Sequence, residues 1–192
     1  MRIDACVSFC DRSRFTYPWM AAAPEHMQRD FTPDDLWRIL SRNRFEGAIV
    51  QPAVGSPEET DWLRDLKQQH PWILAISGPR QDVLESSGFE ETPEYDLLAA
   101  ASDPAKSILI RGAILANVAA LRPFVQWCLA RFGPERIMWG SHWPYCMHPG
   151  GGNIGIWKES LAAFTQALGA QSMETREWIL GGTAARVYTP RS

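Results

Sequence analysis

The residues of this 192-residue chain best equipped for nucleophilic or metal chemistry are its four cysteines and four histidines, and several gather at two points. Cys6, with Ser8 beside it, lies in an apolar run near the start, and His142 closes another run in the last quarter, just ahead of Cys146 and His148. Strand alternation puts Asp4, Cys6 and Ser8 on one face. If the strands close on themselves, the last adjoins the first and Cys6 comes near His142. A thiol beside an imidazole is an activated nucleophile for acyl transfer, and a neutral imidazole is a base matched to pH 7. This makes His142 the leading catalytic candidate, with Cys6 and Ser8 as its partners; the plainer alternative is that Cys6 is an inert buried thiol. A second alternative is a thiolate–imidazole zinc site drawn from Cys6, Cys10, His142, Cys146 and His148. Their C-x3-C and H-x3-C spacings are looser than those of a zinc finger, and the expectation is a site without metal or other cofactor.

Gln51 and Arg111 end two further apolar runs. There Arg111 could grip a substrate carboxylate with its two-pronged guanidinium, or form a structural ion pair instead. The aromatic residues Tyr17, Trp19, Trp143 and Tyr145 could floor a small-ligand pocket or pack beneath long loops. His26 and His70 read as surface or capping residues, and Cys128 as a core thiol.

Five short apolar runs, Ile3–Ser8, Gly47–Gln51, Trp72–Ser77, Ile108–Gly112 and Arg136–Ser141, read as strands buried on both faces. They alternate with amphipathic stretches, the pattern of a parallel sheet with crossover helices. Thr32-Pro33-Asp34-Asp35 and Ser56-Pro57-Glu58-Glu59 each supply a cap, a first-turn proline and early acids for a helix. Leu121, Phe124, Val125, Cys128, Leu129 and Phe132 mark one face of a third helix over Val118 to Arg131. The irregular segments Asp11 to Arg29 and Tyr145 to Gly155 follow strands, so both belong at the strands' C-terminal end, where parallel α/β folds bind ligands.

Taken together, several phrases resemble the amidohydrolase-related family that includes pyrone-dicarboxylate lactonases and fuconolactonase. They are Met1 to Ala5, Tyr17-Pro18-Trp19-Met20, Arg29 to Leu36 and His70-Pro71-Trp72-Ile73. In the C-terminal third they continue with Phe132 to Ser141, Trp143-Pro144 and Ile179 to Tyr188. The resemblance leaves Gly78 to Lys106 poorly matched. It implies a TIM-barrel hydrolase, but eight-stranded barrels need roughly 250 residues. The expectation is therefore a reduced or incomplete TIM-barrel-like α/β fold of about five parallel βα units, in one domain spanning residues 1–192. Its sheet would be open, closed as a smaller barrel, or completed by a partner chain.

The family's first strand ends in His-x-His, where this chain has Cys6 and Ser8, and its last ends Gly-Ser-Asp-Trp-Pro, where this chain has His142 for the aspartate. The metal or carbonyl-polarising histidines and the water-activating aspartate of the relatives are thus replaced. Two readings follow. One is a metal-independent enzyme on a small carbonyl substrate, a lactone or ester hydrolase with His142 as acid/base, or an isomerase, cyclase or decarboxylase on the same scaffold. The other is an inactive binding or assembly protein.

Lys and Arg number 19 against 22 Asp and Glu, a net charge of −3 with no basic block, which argues against nucleic acid or an anionic membrane as partner. No run approaches the ~20 apolar residues of a membrane span, and the start lacks a secretory signal, so the cytoplasm is the expected location. A sheet edge exposed by the missing strands is a pairing liability, which points to a homodimer.

Overall fold

A computed structural model describes residues 1–78, 80–112, 118–147 and 157–189. It begins with β1 (Ile3–Val7), α1 (Pro18–Ala21), α2 (Pro33–Arg42), β2 (Gly47–Val50), α3 (Pro57–Gln69) and β3 (Ile73–Ile76). It continues with β4 (Val83–Ser86), α4 (Glu94–Ser102), β5 (Ser107–Arg111), α5 (Val118–Phe132), β6 (Ile137–Gly140), α6 (Trp157–Leu168), α7 (Met173–Glu177) and α8 (Thr183–Tyr188). The two capping phrases start their helices as their chemistry dictates. The Thr32 hydroxyl accepts the Asp35 amide while Asp35 returns a bond to the Thr32 amide, and Ser56 accepts the Glu59 amide.

The strands form two parallel sheets, β1-β2-β3 and β4-β5-β6. Main-chain bonds from the His142 amide to Cys6 O (2.9 Å) and from the Ser8 amide to Trp143 O (2.7 Å) join them along β1 and β6. The spatial order is therefore β3-β2-β1-β6-β5-β4, with no ladder between β3 and β4 among the described residues. The described residues form a partial TIM barrel of six strands. The strand beyond the five expected is β4, whose polar Glu85 and Ser86 break up any apolar run. Burial on both faces holds for β1, β2 and β6, whereas β3 is mostly half-buried, as the strand beside the unladdered gap should be.

Alternation along the strands separates two cores. Val7, Ala48, Val50, Ile108, Ile110 and Trp139 pack outward against the helices. Ile3, Ala5, Cys6, Ile49, Leu109 and Met138 point inward and meet Ala184, with Val187 and Tyr188 packed against them, so α8 stops one end of the interior. A Cβ on Gly181 would lie 2.2 Å from Met1 O, which places that stopper at the start of β1. The opposite end, where the strands finish, is left for polar side chains. No helix among the described residues is long and apolar enough to cross a membrane.

Candidate functional site

A polar layer lies where β1, β2, β4 and β5 finish, and it begins with an irregularity in β1. The register against β2 slips between Asp4 and Val7, so that two steps on β2 span three on β1. A bulge of this kind puts consecutive residues on one face: Ala5 and Cys6 both point inward, while Val7 joins the outer core. Asp4 therefore does not share a face with Cys6 and Ser8, as simple alternation had it. Its carboxylate accepts from the Ser141 amide (2.9 Å) and from the Trp157 indole of α6 (2.6 Å), tying the first strand to the turn after the last. Burial of this carboxyl outweighs those bonds and raises its pKa to about 6.

Cys6 and Ser8 both turn to Gln51. The thiol donates to Gln51 Oε1 at 3.1 Å and the Ser8 hydroxyl to the Gln51 carbonyl at 2.8 Å. The Gln51 amide then donates to Glu85 Oε1 at 2.6 Å. Across from Glu85 lies Arg111, whose Nε comes within 3.3 Å of Glu85 Oε2 without hydrogen-bond alignment, while Nη2 donates to Glu91 Oε1 at 2.8 Å. Arg111 is thus ion-paired to two carboxylates. Glu85 and Glu91 both fall in the poorly matched stretch of sequence. The one available signal was the short alternation Val83-Leu84-Glu85, which brings Val83 and Glu85 to the inner face.

The third arm of Arg111, Nη1, stands 3.5 Å from His142 Nδ1. Burial, with the Arg111 charge adding to it and Glu91 opposing, lowers the His142 pKa to about 4, so the ring is neutral at pH 7. Its backbone is left-handed at φ 60°, a conformation that costs a non-glycine residue about 1–2 kcal/mol and is a mark of functional sites. The amide bond to Cys6 O and a bond from the Cys146 amide to His142 O hold it there. Close approach of the strands is also required: a Cβ on Gly140 would fall 2.4 Å from that of Cys6. Tyr145 stacks on the imidazole, with ring centroids 4.9 Å apart, and meets Trp19 at 5.0 Å.

The remaining candidates separate from this group. Trp143 is buried edge-on against Phe9 and Phe31, and the Tyr17 hydroxyl accepts the Asp11 amide, so both act in the core. Cys6 and His142 meet through the main chain, but the thiol is bonded to Gln51 and not to the imidazole. Burial first, then the Asp4 and Glu85 charges, push the Cys6 thiol well above its ordinary range, and burial pushes Cys10 up to about 12 and Cys146 higher still. Cys128 is buried in the outer core.

Parallel strands wrapped by helices, stoppered at their start and bearing a polar layer at their end, define a partial α/β barrel with a candidate site at its C-terminal face. The chain belongs to the amidohydrolase family, a family of hydrolases: the family model described as amidohydrolase matches residues 46–189. No curated protein matches it. Among solved structures, it is similar to a zinc-bound amidohydrolase from Burkholderia multivorans, with TM-score 0.81 and 18% identity over 98% of this chain and 99% of that one. It is also similar to two proteins described as 2-pyrone-4,6-dicarboxylic acid hydrolases. The one from Pseudomonas putida has TM-score 0.69 and 14% identity over 96% of each chain. The one from Acinetobacter baumannii, which holds citric acid, has TM-score 0.64 and 10% identity over 97% of this chain and 98% of that one.

The zinc seen in the first of these invites a test of fit. Zinc needs deprotonated thiolate, imidazole or carboxylate donors converging on one point. Among the described residues no three of His, Cys, Asp and Glu converge in that way. The Cys6 thiol is bonded to Gln51, and Asp4 is spent on Ser141 and Trp157. His148 lies outside the described residues. The donors among the described residues do not fit a zinc ion.

Proposed function

We propose that this protein hydrolyses a small, uncharged lactone or ester without a metal ion, using His142 as acid/base residue at the C-terminal face. The observation that carries the reading is His142 itself, a neutral imidazole in a left-handed backbone, stacked on Tyr145 and facing Arg111. Gln51, Glu85 and Arg111 form the polar wall of the site, and Trp19 with Tyr145 its aromatic side. The uncharged substrate follows from Arg111. Two relatives are named for a dicarboxylic acid, whereas here the arginine already serves Glu85 and Glu91. Cys6 and Ser8 support Gln51 in this scheme. Residues 1–192 act as one domain, in the cytoplasm, as a homodimer whose contact covers the β3 and β4 edges.

The test is hydrolysis of a panel of neutral γ-lactones, δ-lactones and simple esters after exhaustive chelation. Turnover that survives chelation and disappears in His142→Ala supports the proposal. Turnover restored only by added zinc refutes it, as does turnover unaffected by His142→Ala.

A second reading, a binding or assembly protein without activity, draws on the loss of both histidines of the first strand to Cys6 and Ser8. Tight binding of a lactone with no turnover under any condition would favour it. Light scattering checks the dimer: a monodisperse monomer removes that part of the proposal.

A further inference from the structure

Among the described residues two carboxylates are fully buried, Glu59 and Asp4. Glu59 serves the loop beside it, accepting the amides of Ala53, Val54 and Gly55. Asp4 instead reaches across to the turn that carries His142. Its Oδ1 accepts the Ser141 amide at 2.9 Å and the Cys6 amide at 3.3 Å. The Ser141 hydroxyl donates to the same carboxylate and accepts the Trp143 amide at 3.0 Å. One side chain therefore fixes the residue before His142 directly and the residue after it through a single hydroxyl.

The rest of the grip on this turn is main chain. Cys6 O accepts the His142 amide and the Ser8 amide donates to Trp143 O, so Asp4, Cys6 and Ser8 hold three successive residues, Ser141, His142 and Trp143. The middle one has the left-handed backbone, which persists only where its surroundings over-determine it. Asp4 also braces Cys6, whose carbonyl makes the central bond, because the Cys6 amide bonded to Oδ1 lies in the bulge of β1. Stability does not account for a carboxylate at this place. Burial raises its pKa to about 6 in spite of these bonds, so at pH 7 the folded state holds a charge that costs it free energy. A group that weakens the fold at neutral pH while bracing a strained residue belongs where function needs the geometry.

We infer that Asp4 is the positioning residue of this site: by holding Ser141, and Trp143 through the Ser141 hydroxyl, it keeps His142 in the left-handed backbone that sets the imidazole against Arg111 and Tyr145. This deepens the hydrolase reading above, on which its kinetic consequence rests.

The test reads the His142 pKa by proton NMR titration of the imidazole Hε1, assigned from His142→Asn, beside steady-state kinetics. A nearby anion holds a histidine pKa up, so deleting Asp4 lowers the value or leaves it alone if His142 stays in place. Displacement of the ring out of its buried position and away from Arg111 raises it. Asp4→Ala should therefore move the His142 pKa from about 4 towards 6.5 and weaken the ring-current shift that Tyr145 imposes. It should lower kcat on the order of 10²-fold with little change in KM. Ser141→Ala, which keeps the amide bond to Asp4 and loses the hydroxyl, should move both readouts the same way by less. Trp157→Phe removes the other partner of Asp4 and should cost stability while leaving the His142 pKa at about 4. Asp4→Asn combined with Trp157→Phe leaves an oxygen to accept the Ser141 amide and no indole facing the new amide nitrogen, and should bring His142 back towards its wild-type value.

A His142 pKa that stays at about 4 or falls in Asp4→Ala overturns the inference, and if that variant does not fold, the same result in Ser141→Ala overturns it. A Trp157→Phe variant that moves His142 as far as Asp4→Ala does so too, because the effect is then a general loosening of the fold. A raised His142 pKa in an Asp4→Ala protein whose wild type turns over no lactone or ester upholds the positioning and removes the hydrolase reading instead.

Discussion

Replacing His142 with asparagine should give the protein a stability that falls as pH rises from 4 to 6, where the wild type is nearly level. Two buried groups oppose each other in this window. Asp4 has a folded-state pKa raised from 3.8 to about 6, so its contribution is full below the unfolded value and is lost as pH climbs through the folded one. At 1.36 kcal/mol per pH step, that loss is about 3 kcal/mol. For His142 the folded pKa is lowered from 6.5 to about 4, so its contribution is full above 6.5 and is lost as pH falls towards 4. Its ring is partly accessible to solvent, which reduces the amount to about 2–3 kcal/mol. Asparagine tolerates a left-handed backbone, so His142→Asn removes the titration with little added strain. Asp4→Asn should give the reverse slope. It should also lose stability at every pH, because its amide nitrogen would face the Trp157 indole N–H that the carboxylate now accepts. Urea unfolding followed by tryptophan fluorescence at pH 4.5, 5.5 and 6.5 reads both slopes. A His142→Asn curve that runs parallel to the wild type, within about 0.5 kcal/mol, refutes the opposition of the two groups.

Other consequences follow from the packing. Gly140→Ala should cost about 1–3 kcal/mol, since its new methyl would lie 2.4 Å from the Cys6 Cβ. In the same urea assay Cys6→Gly should relieve part of that cost and Cys6→Ala none of it. Glu59 is fully buried and accepts the amides of Ala53, Val54 and Gly55 at 2.7–2.8 Å, so Glu59→Gln, which puts a donor against donors, should lose about 2–3 kcal/mol and loosen the loop after β2. Faster amide exchange at those three positions is the accompanying sign. All four cysteines are free and buried, so native protein at pH 8 should resist a thiol reagent that titrates four thiols in urea. A single fast-reacting thiol in the native state would contradict the assigned burial.

How much of this was legible in the sequence depends on which way each strand points its polar residues. Gly47–Val50 and Ile137–Gly140 announce themselves because every side chain meets apolar neighbours, and the caps at Thr32 and Ser56 speak through local chemistry alone. In β4 the inner face changes from Val83, against the apolar interior, to Glu85, in the polar layer above it. A strand that contributes a carboxylate to a site cannot also present an unbroken apolar run, so the pattern that hid β4 is a product of what β4 carries. The same reasoning applies to β1, where Ala5-Cys6 looks like ordinary alternation and only the register against β2 shows two successive residues turned inward. Arg111 and His142 were legible as residues at strand ends. What Arg111 does was not, because its meaning lies in Glu85 and Glu91, which the parallel crossover after β4 brings back across the sheet. Local pattern therefore recovers the layers that exclude water, while the polar layer is assembled from residues that break the pattern in their own segments and acquire partners only when the strands are laid side by side.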